Sequence, residues 1–211
     1  MTIIGAGNMG RGIGTRLVAG GNNVRILDTD PDQARALAEE IADAGDTEVD
    51  AGGAGDSLTG DVVVLAVWYE PARAAIEQYG DQLGGKVVVD ISNPVDVSTF
   101  DGLVTPPDSS AAEELAKLSP AGAKLVKAFN TTFAGTLVAG EVGGQPLDVF
   151  IAGDDEDAKG TVADLVRAGG LNPIDAGPLR RARELERLGF LHMAIQDGLG
   201  TGYGSAVKVI S

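Results

Sequence analysis

One glycine loop constrains this chain more than any other stretch. Ile3-Ile4-Gly5-Ala6-Gly7-Asn8-Met9-Gly10 sets G-x-G-x-x-G directly after a short apolar run and directly before a helical pattern. In that setting Gly5 permits the tight turn, Gly7 lets backbone amides approach a pyrophosphate, and Gly10 lets helix and strand pack closely. The helix N-terminus adds partial positive charge. Such a pattern arises easily in a chain with 31 glycines, so its weight comes from its context. The next apolar run ends Ile26-Leu27-Asp28, which puts an acidic side chain about 20 residues past the loop. A carboxylate there accepts hydrogen bonds from an adenosine ribose and repels a 2′-phosphate. Thr29 and Asp30 follow, and no arginine is adjacent. The reading is a dinucleotide site that favours NAD over NADP. The competing use of Asp28 or Asp30 is to cap the helix that begins at Pro31.

The rest of the chain alternates strand-like and helix-like runs. Strands are expected over 2–5, 23–28, 62–67, 86–90, 124–129, 148–152 and 172–175, with a weaker one near 47–49. Val62-Val63-Val64-Leu65 and Val87-Val88-Val89 are unbroken apolar runs, the signature of strands buried on both faces. Helices are expected over 9–19, 31–44, 71–79, 111–118, 156–168 and 179–196, the fourth opened by Ser110 with Glu113 closing a capping box. This alternation predicts an α/β, Rossmann-type doubly wound, mostly parallel sheet with a small C-terminal α/β extension. Residues 1–130 are assigned to the dinucleotide-binding domain and 131–211 to a small part for the substrate or second cofactor, packed on it.

Composition removes several functions. There is no cysteine, so disulfides, thiolate metal sites and cysteine nucleophiles are excluded. A net charge of −15 makes nucleic acid and anionic membranes poor partners. The apolar runs are too short to span a bilayer, and no N-terminal signal pattern is present, which gives a cytoplasmic expectation. With a single histidine, His192, neither a histidine metal site nor a Ser-His-Asp triad is easily built.

Five segments resemble one family. Gly5-Ala6-Gly7-Asn8-Met9-Gly10, Asp90-Ile91-Ser92-Asn93-Pro94, Val126-Lys127-Ala128-Phe129-Asn130-Thr131, Phe150-Ile151-Ala152-Gly153-Asp154-Asp155 and Asp175-Ala176-Gly177-Pro178-Leu179 occur in the order found in coenzyme-F420-dependent NADP oxidoreductases. The chain is also similar to the cytosolic reductase domain of STEAP-type metalloreductases. The resemblance covers nearly the whole chain. It implies hydride transfer between a nicotinamide dinucleotide and a deazaflavin (F420) or a flavin. Family members that use NADP carry a serine or threonine in the glycine loop and a Ser-Arg pair after the second strand, where this chain has Ala6, Asp28 and Thr29. Asn130 stands where deazaflavin-using archaeal members have histidine, a variant closer to the flavin-using metalloreductase domain.

Hydride exchange between two ring carriers asks the protein only to position and desolvate them, which suits a chain poor in acid–base groups. No catalytic side chain is therefore singled out, and no metal site is expected. Val67 and Trp68 are placed beside the pyrophosphate and nicotinamide ribose, Asn93 and Pro94 beside the ribose or carboxamide, and Asn130 and Thr131 beside the second ring. That ring is expected between 92–94, 130–132 and the turn at 177–179. The competing uses are packing for Trp68, a turn before proline for Asn93 and capping of a short helix near Ala134 for Asn130 and Thr131. Lys127 would be catalytic only if it faced the crevice. Arg180, Arg181, Arg183 and Arg187 either receive an anionic tail or pair with Glu184 and Glu186 at helical spacing. The expected partner is a small-molecule hydride acceptor or donor, and a homodimer is left open. Two rival readings are a reductase of a small imine or carbonyl substrate, since Gly-Ala-Gly-Asn-Met-Gly also opens pyrroline-carboxylate and imine reductases, and a non-catalytic NAD(H)-binding redox sensor.

Overall fold

Val63, Leu65 and Val88 are wholly excluded from solvent, as their unbroken apolar runs require of strands covered on both faces. The computed structural model describes residues 1–210. In chain order the elements are β1 (Thr2–Ile4), α1 (Asn8–Ala19), β2 (Val24–Asp28), α2 (Pro31–Ala42), β3 (Val49–Gly53), β4 (Val62–Leu65) and α3 (Tyr69–Tyr79). Next come β5 (Val87–Asp90), α4 (Ala111–Leu118), β6 (Lys124–Lys127), α5 (Ala134–Ala139), β7 (Glu141–Val142) and β8 (Gln145–Pro146). The remaining elements are β9 (Asp148–Gly153), α6 (Glu156–Ala168), β10 (Asn172–Gly177), α7 (Ala182–Ala194) and α8 (Gln196–Leu199).

Eight strands form one sheet in the order β10-β9-β6-β5-β4-β1-β2-β3. Strands β1 to β6 run parallel, so their C-terminal ends share one edge. One face is packed by α1, α2, α5 and α6 through Ile13, Leu17, Leu37, Leu137 and Val162. The other is packed by α3, α4 and the start of α7 through Ile76, Leu115 and Ala182.

The fold is the doubly wound, mostly parallel sheet that the sequence predicts, with one reversal that matters for the site. After α5 the chain turns through the β7–β8 hairpin, where Gly143 and Gly144 both take positive φ (62° and 74°), the requirement of a tight primed turn. Strand β9 then enters antiparallel to β6, pairing Ala152 with Lys127, and β10 follows β9 in parallel. The C-terminal ends of β9 and β10 therefore face the opposite edge. The turn at 177–179 lies there, with Leu179 N–H bonded to Asp154, and it is removed from the crevice in which it was expected.

Local differences have local causes. The weak strand near 47–49 forms at Val49–Gly53, where it pairs with the full length of β2. The expected helix over 179–196 is broken into a 3-10 turn (Leu179–Arg181), α7 and α8. Ser110 does cap α4, accepting the Glu113 N–H at 3.1 Å. The Glu113 carboxylate bonds the Ser110 hydroxyl and Arg183, so the reciprocal half of the capping box is absent.

Candidate active site

The common edge of β1 to β6 opens into a cleft of about 810 Å³. At its β1 end the glycine loop is sterically obligatory. Gly5 has φ +110°, and a Cβ on Gly10 would sit 2.1 Å from the Gly5 carbonyl oxygen. A Cβ on Gly7 would meet nothing within 4 Å, so that position is open to an approaching ligand. Gly7 is also the N-cap of α1 and no side chain bonds the first turn, which leaves its amides directed at the cleft.

The Asp28 carboxylate closes the β2 side. Its Oδ2 accepts the Ala6 N–H at 2.7 Å, and its Oδ1 accepts from the Asp30 N–H at 3.0 Å. Capping of α2 falls to Asp30, which accepts the Asp32 N–H at 3.0 Å. Asp28 is thereby left to line the cleft. Arg11 lines it too, tied to Glu40 at 2.9 Å. Arg25 is engaged elsewhere, with Asp50 and Asp56.

At the other end the loops after β4, β5 and β6 converge. Trp68 stands at the rim with about half its surface exposed (54%). Asn130 Nδ2 donates to Asn93 Oδ1 at 2.9 Å and to the Leu185 carbonyl at 2.8 Å. Asn93 Nδ2 donates back to the Asn130 carbonyl at 2.8 Å. Helix α7 comes this close only because position 189 is glycine, since a Cβ there would lie 2.7 Å from Asn93 Oδ1. Two buried polar atoms of cleft-lining residues, Ser92 Oγ and Asn130 Oδ1, have no partner among the described residues. Such atoms are costly to leave unpaired, and a polar ligand would satisfy them.

Phe133, Met193 and Tyr203 form the apolar wall opposite. Phe133 stacks on His192 with centroids 4.3 Å apart and meets Tyr203 edge-on at 5.1 Å. His192 itself is buried behind this wall. Its Nδ1 is 3.2 Å from the Thr131 carbonyl and its Nε2 is 2.9 Å from Ser205 Oγ. Burial lowers its pKa from 6.5, against the upward pull of the Thr131 carbonyl, and so favours the neutral ring.

Of the residues expected at the site, Gly5, Gly7, Asn8, Met9, Asp28, Val67, Trp68, Asn93 and Asn130 line this one cleft. Ala6 and Gly10 shape the loop behind it. Thr29, Pro94 and Thr131 fall outside the lining, Thr29 bonding Asp28 Oδ1 and Thr131 turning its carbonyl to His192. Phe133, Met193, Tyr203 and Arg11 line the cleft without having been expected. The only cue to Phe133 in the sequence was its position just past the end of β6.

The arginine cluster does not reach the cleft. Arg183 pairs with Glu113 at 2.6 Å, Arg187 donates to the Pro107 carbonyl, and Arg181 lies 3.9 Å from Glu184. Arg180 and Arg181 belong to the 3-10 turn before α7 and are exposed to solvent. The expected partner Glu186 is instead buried against Lys127. Among the described residues no cluster of histidine, aspartate and glutamate side chains could hold a metal ion. No described helix is long and apolar enough to cross a membrane.

Residues 1–94 match the family model described as NADP oxidoreductase, coenzyme F420-dependent. The F420-dependent NADP reductase of Methanocaldococcus jannaschii is 32% identical over 197 residues, covering 87% of this chain and 86% of that protein. Metalloreductase STEAP3 of Rattus norvegicus is 33% identical over 186 residues, or 88% of this chain. The match spans only about a third of that protein's length (35%). A solved structure from Arthrobacter sp. FB24, provisionally described as an F420-dependent NADP reductase, superposes with a TM-score of 0.83 at 29% identity. It covers 100% of this chain and 98% of its own.

Proposed function

Because this chain belongs to the F420-dependent NADP reductase family of oxidoreductases, we propose that its cleft holds a nicotinamide dinucleotide and a deazaflavin or flavin ring together. The observation that carries the reading is the chemistry of the far end of the cleft. Ser92, Asn93, Asn130, Thr132, Phe133, Met193 and Tyr203 supply hydrogen bonds and apolar contact there, with no aspartate, glutamate, lysine or histidine among the described residues that line this end. Reduction of a carbonyl or imine calls for a proton donor beside the substrate. Passage of a hydride between two rings calls for alignment and exclusion of water.

The dinucleotide, when bound, supplies the hydride chemistry. The first turn of α1 and the open face of Gly7 receive its pyrophosphate, and Asp28 receives the adenosine ribose. The orphaned Ser92 Oγ and Asn130 Oδ1 bond the polar edges of the rings, with Phe133, Met193 and Tyr203 against their faces. Residues 1–130 thus carry the dinucleotide, while the later part contributes the wall for the second ring. Asp28 disfavours a 2′-phosphate, so this member uses NADH in preference to NADPH. Both partners are small molecules.

The test is oxidation of NADH and NADPH in parallel with F420, FMN and FAD as acceptors. Turnover of NADH with at least one of the three supports the reading. No turnover with any acceptor, or faster turnover of a simple imine or carbonyl compound, contradicts it.

A further inference from the structure

Lys127 is the largest of the fully buried side chains. It sits within β6 and does not line the cleft, yet every hydrogen of its ammonium group has an acceptor. Nζ lies 2.7 Å from Asp90 Oδ2 and 2.8 Å from Glu186 Oε1, and it also donates to the Ser92 carbonyl. The second oxygen of Asp90 accepts the Ser92 N–H at 2.8 Å. Both backbone polar groups of Ser92 thus end on the Lys127–Asp90 pair. Glu186 in turn accepts the N–H groups of Ala111 at 2.9 Å and Ala112 at 3.3 Å, at the start of α4. Burial opposes the charge on Lys127, but the two carboxylates outweigh it and raise its pKa, so the ammonium is retained.

A buried ion cluster is an uneconomical way to hold a core together. Well-packed apolar residues of similar volume are often as stabilising. What this cluster does that apolar residues could not is fix one peptide unit at the cleft. Ser92 carries an orphaned hydroxyl and precedes Asn93, the partner of Asn130.

We propose that Lys127 is a positioning residue: clamped between Asp90 and Glu186, it holds the Ser92 backbone so that Ser92 and Asn93 meet the nicotinamide end of the dinucleotide. This rests on the cleft being a dinucleotide site, and it predicts an effect confined to one end of the ligand.

The experiment compares dissociation constants for NADH and for ADP-ribose, which lacks the nicotinamide. They are measured by calorimetry for the wild type, Lys127→Met and Lys127→Met/Glu186→Gln, with a melting curve for each. The double variant removes one carboxylate that the single variant leaves uncompensated. The expected result in any folded variant is NADH binding weaker by about tenfold, with ADP-ribose binding changed less than about twofold. Equal loss for both ligands, or no loss for either, overturns the proposal and makes the cluster a purely structural bolt. If neither lysine variant folds, Asp90→Asn decides. It keeps an acceptor for the Ser92 N–H but loses the lysine's charge partner, and the same selectivity is expected at a smaller size. A wild-type protein that binds neither ligand would instead refute the dinucleotide reading itself, and the two failures are thereby distinguished.

Discussion

Asn93 and Asn130 hold each other across the ends of β5 and β6, the amide of each donating to an oxygen of the other at 2.8–2.9 Å. Because the Leu185 carbonyl takes the remaining Asn130 hydrogen, Asn130 offers a ligand only an acceptor. A ligand atom that meets it must donate, as an amide or imide N–H does. Asn130→Ala should lower kcat/KM with the second substrate by about 10- to 100-fold. It should also cost about 1–3 kcal/mol of stability, since Asn93 Oδ1 and the Leu185 carbonyl lose their donor. Gly189→Ala should cost a similar amount by pushing α7 off this pair. Steady-state kinetics and thermal melts check both.

The Asp28 carboxylate accepts the Ala6 N–H at 2.7 Å, beside the open face of the glycine loop. A 2′-phosphate would meet that charge, at a cost of about 1–3 kcal/mol in a partly buried site. The expected outcome is NADH bound roughly 10- to 100-fold more tightly than NADPH. Asp28→Ser with Thr29→Arg should narrow or reverse the ratio, as titration of both dinucleotides would show.

Arg180 and Arg181 lie in the 3-10 turn before α7 and make no part of the cleft lining. Reversing both to glutamate should leave KM for an anionic acceptor within about twofold of wild type at moderate salt, because both side chains are exposed and outside the cleft lining, where salt screens them. Among the described lining residues the only cation is Arg11, so Arg11→Gln should weaken dinucleotide binding, and more at low salt than at high. A salt series on the two variants separates them.

His192 is neutral in the fold because burial lowers its pKa below 6.5. The unfolded chain therefore binds more protons once the pH drops below that value. The stability linked to this group is present above pH 6.5 and is lost as the pH falls through the lowered value. His192→Asn, which can keep a donor toward the Thr131 carbonyl, should flatten the melting temperature between about pH 5 and 6.5. It should leave turnover nearly unchanged between about pH 6 and 8, since the ring backs the Phe133 wall without lining the cleft.

The glycine loop, Asp28 and the valine runs of β4 and β5 were legible in the sequence because each follows a local rule: turn geometry, spacing from the loop, or burial on both faces. The direction of β9 was not. It depends on a hairpin whose signal, Gly143-Gly144, is two residues long, and misjudging it carried Gly177–Leu179 to the wrong edge of the sheet. Lys127 was legible as a strand residue but not as a clamp, because one of its partners, Glu186, arrives from the last long helix. Glu186 looked like a surface partner for the arginines for the same reason, as helical spacing carries no record of which face is buried. Tyr203 reaches the cleft from an irregular segment with no periodicity to read.

Direct hydride transfer between two rings held in one cleft leaves an isotopic signature. Reduction of F420 by NADH carrying deuterium at the transferable C4 position, run in ordinary water, should deliver the label to C5 of the reduced deazaflavin. A carbon-bound hydrogen there does not exchange with solvent. Label recovered at C5, with slower turnover than for unlabelled NADH, is the expected outcome. Reduced F420 formed without deuterium, or no reduction of F420 or of either flavin by NADH, would contradict it.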